Sequence, residues 1–388
     1  MVKTGLDILP EQDFAPLTNK NIGLLVHPAS VNRRLEHAIR IFTENRVRIQ
    51  RLFGPQHGIL GQTQDNMIEW QGFRDPATGT DICSLYGEHR KPLPEMLEGI
   101  DTFVIDLQDV GARYYTFVWT MLLCMEACAE NNVTVLVLDR PNPIGCSTVE
   151  GPLLDPEYSS FVGMAPIPIR HGMTCGELAA YANAALKIHC DLEVIRMQGF
   201  SRCMHFEDTE LPWVMPSPNM PTVDTAFVYP GFCLLEGTNI SEGRGTTRPF
   251  EIFGAPFIRA RDLAEKLGGC NLPGARSRPM HFDPAFQKWS GRLCGGIQVH
   301  VTDRKVFRPV RTAVTVLSLI RNMYPDDFAW KQPPYEYEFE KMPIDILAGG
   351  PDLRKGIDAG EDPLELAAGR QSSLIQFSQD IEPYMFYE

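Results

Sequence analysis

The sequence predicts an α/β fold: a Rossmann-like, mostly parallel sheet domain over 1–245, joined to a second, smaller α/β domain over 246–388. Three observations predict it. Short branched apolar runs alternate with helix-spaced segments through the first half of the chain, the pattern of right-handed βαβ units. The polar clusters "GPQHG", "DLQDVGARYY" and "DRPNPIG" each begin where such a run ends, and open parallel sheets place ligands at the carboxyl ends of their strands. After about 250 the texture changes to an alternating strand between amphipathic helices.

"NIGLLVHP" (21–28) reads as a buried strand stopped by proline, and "LEHAIRIFTEN" (35–45) as a helix through Leu35, Ile39 and Phe42. "VRIQRLFG" (47–54) is the next strand; "ICSLYG" (82–87), the short helix "PEMLEGI" and "TFVIDLQD" (102–109) repeat the unit. A long helix over 116–132 leads to "VTVLVLDRP" (133–141). "PIPIRH" (166–171), a helix over 174–190 and "LEVIRMQGF" (192–200) form a further strand–helix–strand unit, whose helix opens on a T-x-x-E capping box from Thr174 and Glu177. The stretch 201–224 is proline-rich and irregular, and "EGTNISEGRGTTRPFE" (236–251) crowds glycines and charges into one loop. In the second domain "RARDLAEKL" is a helix, "GGIQVHVTD" (295–303) a strand, "VRTAVTVLSLIRNMY" an apolar-faced helix, and the tail from "PDLRKGIDAG" helical.

Composition narrows the partners. A formal net charge of -13 argues against nucleic acid or an anionic membrane surface, and no window approaches the roughly 18 apolar residues of a membrane span. "MVKTGLDILPEQDF" has no apolar h-region, so the expected location is cytoplasmic; the alternative is an exported protein whose signal precedes this numbering. The 10 cysteines form no CxxC pair, many lie in apolar runs, and Cys124 and Cys128 are one helical turn apart, which suits free thiols in a reducing compartment.

The motifs of cofactor chemistry are missing from the sequence. It contains no G-x-G-x-x-G after a strand, no P-loop, no H-E-x-x-H, no paired-cysteine metal motif and no G-x-S-x-G elbow, so neither a cofactor nor a metal is expected. What the loops do carry is carboxylates, arginines, asparagines and aromatics, the groups that handle sugars. Asp106, Asp109, His57, Arg113, His171 and the Asp139–Arg140 pair each also have a structural reading, as turn caps, ion pairs or loop hydrogen bonds. Asn219, in a proline-framed loop, and Arg244, between two glycines, favour function, because flanking glycines imply a close backbone approach.

Taken in order, "TGLDIL", "GLLVHPASV", "FGPQHGILG", "SLYG", "DLQDVGARYYTF", "LDRPNPIG", "VEGP", "RHGMTCGELA", "PSPNMP" and "LEGTNISEGRGTTRPFEIFGAP" resemble the NamZ-type exo-β-N-acetylmuramidases, glycoside hydrolase family 171. The resemblance spans nearly the whole chain. It implies a Rossmann-like catalytic domain, release of N-acetylmuramic acid from the non-reducing end of peptidoglycan fragments, and no metal or nucleotide. The lactyl carboxylate of that sugar would suit an arginine fork, with Arg113 and Arg244 as candidates. Gln56, Asp65, Tyr114, His171, Asn219, Glu236 and Asn239 complete the expected substrate contacts.

One position departs from the family. Its first loop usually reads P-E-H-G, with the glutamate as favoured acid, whereas this chain has Gln56. An amide cannot protonate a leaving oxygen. The sequence therefore points to another carboxylate: Glu69, next to Trp70, as acid, with Asp109 or Glu242 as base or nucleophile and His57 orienting the acid or the substrate. This arrangement predicts two carboxyls about 5 to 10 Å apart across a pocket. The rival readings are a branch of altered specificity, a sugar-binding protein without turnover, and a hydrolase for another small acidic metabolite.

Overall fold

The structure, a computed structural model, describes residues 1–64, 67–369 and 371–388. In the first lobe, β1 (Asn21–Leu25), β2 (Arg48–Gly54), β3 (Phe73–Arg74), β4 (Asp81–Ser84), β5 (Thr102–Ile105) and β6 (Thr134–Leu138) follow one another with helices between. β7 (Glu150–Leu153) and β8 (Pro168–Arg170) form a separate antiparallel pair, and β9 (Leu192–Ile195) returns to the main sheet. That sheet has seven strands in the order β3-β4-β2-β1-β5-β6-β9, parallel except at the β3–β4 edge. Phe103, Val104 and Ile105 are all buried although adjacent side chains point to opposite faces. A parallel sheet covered on both sides produces this pattern. The helix Phe117–Glu130 on one face buries Trp119, Met121, Cys124 and Cys128.

The chain leaves β1 toward β2 and β4, then crosses to β5 on the other side of β1. In an open parallel sheet such a reversal sets the binding crevice at the carboxyl edge, here among the loops after β1, β2 and β5.

Two segments differ from the sequence expectation. The run 166–171 does not extend the parallel sheet; β8 pairs with β7 instead. Pro166 and Pro168 each lack the N–H a central strand must donate. The second lobe holds three antiparallel strands rather than one: β10 (Ile252–Ala255), β11 (Ala275–Phe282) and β12 (Cys294–Val301), in the order β10-β12-β11. β11 reads "ARSRPMHF", polar and broken by Pro279, because it is an edge strand with little to bury.

Helices Ala260–Gly268 and Pro309–Met323 complete the second lobe. Helix Val223–Phe232 already packs against Pro309–Met323, so the chain changes packing partner before the expected boundary at 245. Their approach depends on Gly231, where a Cβ would lie 2.0 Å from the Pro309 carbonyl oxygen. One apolar cluster runs from Leu25 and Ile105 of the first lobe through Phe232 to Phe253 and Val314 of the second, so the lobes are docked on a shared core. The chain end is tied back as well: the Tyr387 hydroxyl donates to Asp139 at 2.5 Å, and the Phe386 amide donates to Glu177 at 2.9 Å.

Candidate active site

The loops at the carboxyl edge are fixed by buried polar groups. His27, after β1, uses Nδ1 toward the Pro216 carbonyl at 3.1 Å and accepts the Gln108 amide on Nε2 at 3.0 Å. Burial lowers its pKa to about 3, so this neutral ring joins the loop after β5 to the irregular segment carrying Ser217 and Asn219. Arg140 forks onto Asp106 at 2.5 and 2.8 Å, locking the loops after β5 and β6 together. Asp109 accepts the Gly111 amide at 2.7 Å and faces His171 Nε2 at 3.1 Å. These strand-end groups build the edge but do not line the cleft.

The cleft lies beside them, between the lobes. It is lined on one side by Gln56, His57, Tyr114, Thr116, Ser217 and Asn219, on the other by Tyr229, Glu236, Arg244, Tyr335 and Glu336. Gln56 accepts the Thr116 hydroxyl at 2.5 Å, and Asn219 donates to the Gln64 carbonyl at 2.6 Å. His57 has a left-handed backbone, φ 71°, and its Nδ1 lies 2.7 Å from the Thr63 carbonyl. A carbonyl can only accept, so Nδ1 carries the proton and Nε2 keeps its lone pair. No partner hydrogen-bonds Nε2 among the described residues. Burial pulls the His57 pKa down to about 4, so the ring is neutral at ordinary pH.

Two buried glutamates face this neutral wall, and their environments differ. Glu236 accepts from Arg244 Nη2 and from the Tyr335 hydroxyl, each at 2.7 Å. Burial opposes its charge, but the Arg244 guanidinium and the hydrogen bonds outweigh burial and hold it below the usual carboxylate value. Among the described residues Glu336 forms no ion pair, although Arg244 and Arg90 pull on its charge from farther off. Burial, reinforced by the nearby Glu236 charge, raises it to about 7 against the pull of a Tyr86 hydrogen bond. The Met67 amide donates to the Tyr86 oxygen at 3.2 Å, which turns the phenol proton onto Glu336 Oε2 at 2.9 Å.

The turn that carries Glu336 is held from both sides. Tyr335 and Glu338 exchange backbone hydrogen bonds of 2.9 Å, and Glu336 and Tyr337 both have positive φ, 46° and 66°. Such backbone persists only where the surroundings enforce it. Here the enforcement comes from the first lobe, where Arg90 lies 4.0 Å from the Tyr337 ring centroid and 5.2 Å from those of Tyr86 and Phe161.

Several residues singled out from sequence lie elsewhere. Glu69 is exposed, 3.9 Å from Arg90, and does not line the cleft. Arg113 is fully buried and its terminal nitrogens donate to the carbonyls of Pro152, Ile167 and Leu347 at 2.8 Å, so it clamps backbone and cannot fork onto a ligand. Glu242 pairs with Lys288 at 2.9 Å in a neighbouring pocket. Asn239 holds the 327–329 backbone through Asp327 and Ala329. Asp65 falls outside the described residues. The glycines around Arg244 do mark a close approach, but to the protein itself: a Cβ on Gly243 would lie 2.2 Å from the Ile252 carbonyl oxygen. Tyr86 and Glu336 were missed. The signal for Glu336 was "PPYEYEFEK" (333–341), where glutamates alternate with aromatics behind two prolines; Tyr86 lies in "ICSLYG" (82–87). Among the described residues no cluster of His, Cys, Asp and Glu could hold a metal ion.

Comparison with known proteins agrees with this architecture. The model of the exo-beta-N-acetylmuramidase NamZ N-terminal domain matches residues 22–224, and that of its C-terminal domain matches 227–387. The chain belongs to the exo-beta-N-acetylmuramidase NamZ family. It is 45% identical over 387 residues to the peptidoglycan beta-N-acetylmuramidase NamZ of Bacillus subtilis (strain 168), covering 100% of this chain and 91% of that protein. Two crystal structures of DUF1343 family proteins from Bacteroides fragilis share the fold. One is 34% identical with a TM-score of 0.89, the other 30% identical with a TM-score of 0.78; each comparison covers 100% of this chain and 99% of the other. Both halves of the cleft lie within the regions matched by the NamZ models, and the two models meet between 224 and 227.

Proposed function

We propose that the protein is an exo-acting glycosidase that removes N-acetylmuramic acid from the non-reducing end of peptidoglycan-derived fragments, with Glu336 as its general acid. The observation that carries this reading is the pair Glu236 and Glu336, two buried carboxyls in one cleft whose protonation is pushed in opposite directions. Glycoside hydrolysis needs one carboxyl that holds a proton and a second group that tolerates positive charge at the anomeric carbon.

In this reading Glu336 gives its proton to the glycosidic oxygen as the bond to the anomeric carbon breaks. Glu236, kept ionised by Arg244 and Tyr335, faces the developing positive charge. A water then bonds to the anomeric carbon and its proton passes to His57 Nε2. Gln56 and Asn219 grip hydroxyl or acetamido groups on the neutral wall. The 10 free cysteines support a reducing, cytoplasmic setting for this recycling step.

Incubation with a chromogenic N-acetylmuramide tests the proposal. Turnover by the wild type that Glu336→Gln abolishes supports it. Saturable binding without turnover would instead make the chain a sugar-binding protein.

A further inference from the structure

The sugar proposed above differs from its neighbours by a lactyl ether ending in a carboxylate, so the site needs a cation whose charge is not already matched. Arg113 is sealed against backbone carbonyls, away from the cleft. Arg244 is engaged by Glu236 at 2.7 Å and Glu242 at 3.4 Å. Lys288 donates to the carbonyls of Leu235 at 2.9 Å and Ile240 at 3.0 Å and to Glu242 at 2.9 Å, which uses all three of its protons.

Lys331 is different. It lines a side pocket that shares Glu236, Arg244 and Tyr335 with the cleft. Its backbone amide is pinned to the Gly237 carbonyl at 2.9 Å, and its ammonium lies 5.4 Å from the Tyr335 ring centroid. Among the described residues that ammonium has no ion pair and no hydrogen bond. A half-buried lysine steadied by a ring keeps its donors for something that enters. The ring that steadies it also carries the hydroxyl bound to Glu236.

We propose that Lys331 receives the lactyl carboxylate and so selects muramyl over plain glucosaminyl substrates, with the side pocket holding the lactyl arm. This rests on the N-acetylmuramidase reading. The pocket adjoins the cleft at Glu236, Arg244 and Tyr335, which places it beside one substituent of a sugar held in the cleft. An ammonium on a flexible stem follows a rotating arm better than a rigid guanidinium fork would.

The test compares a chromogenic N-acetylmuramide with its lactyl methyl ester, measuring kcat/KM for wild type, Lys331→Met and Lys331→Arg. The wild type is expected to favour the free acid roughly 10- to 100-fold, mainly through KM. In Lys331→Met the preference should collapse to near unity, and Lys331→Arg should restore most of it. Because each ratio is taken within one variant, a lower folded fraction cancels out. A preference that survives in Lys331→Met overturns the assignment while leaving the glycosidase reading intact. A wild type that favours neither form also overturns it, and a wild type that cleaves no muramide overturns both.

Discussion

The two walls of the cleft do different chemistry. The wall built from the strand-end loops presents neutral groups: the Gln56 and Asn219 amides, the Thr116 and Ser217 hydroxyls and an uncharged His57. The wall built after residue 227 presents Glu236, Arg244, Tyr335 and Glu336. The parallel sheet provides grip, because its loops are stapled by His27 and by the Asp106–Arg140 fork. The docked second lobe provides charge, with one glutamate ion-paired to an arginine and the other in no ion pair among the described residues. Tyr86 and the Arg90 cage of the first lobe meet the turn that carries Glu336, so the surroundings that raise its pKa depend on both lobes.

The sharpest way to break this contrast is Glu336→Gln. On the proposed mechanism kcat should fall by about 10²- to 10⁴-fold with KM little changed, measured on an activated muramide; a loss below about threefold would remove Glu336 from the chemistry. The same variant has a second, thermodynamic signature. Burial raises the Glu336 pKa from 4.5 to about 7. A carboxyl raised on folding favours the folded state fully below its unfolded pKa, and that contribution disappears as pH rises through about 7. Glu336→Gln removes this dependence, so denaturant titrations should show it gaining about 3 kcal/mol relative to wild type between pH 4.5 and 8.

The pH profile sharpens the comparison further. Activity should rise as His57 loses its proton near pH 4 and fall as Glu336 loses its own near pH 7. Tyr86 donates to the ionised form of Glu336, so Tyr86→Phe should move the alkaline limb upward, by roughly half a unit to one unit. An unmoved limb would mean another group sets it.

The smallest effects concern the positions that sequence reading favoured. Gln56→Glu keeps the acceptor that Thr116 uses, so kcat should change by less than about fivefold; a large gain would return the acid to the strand-end loop. Glu69→Gln, on an exposed side chain, should stay within about twofold.

Much of the fold was legible because it depends on local patterns. Val104, Ile105 and the Val135–Leu138 run announce buried parallel strands wherever they stand. The capping box of Thr174 and Glu177 marks a helix start, and both of its hydrogen bonds form. β11 was not legible, since an edge strand has no apolar face to declare itself. The neutral wall was partly legible: Gln56, His57 and Asn219 were picked from their loops, and the crevice rule brought them to one edge. The charged wall was not. Glu236 and Arg244 could be named, but their partnership with Tyr335 joins residues about a hundred positions apart.

The sequence alone determined the α/β class, the family and the absence of a proton donor at position 56, because each rests on residue types in a fixed local order. Tertiary structure decided which buried carboxyl is pushed toward its protonated form and which away from it. Protonation depends on burial and on the charges within a few ångströms, and for Glu336 those come from Tyr86, 250 residues away, and from Glu236.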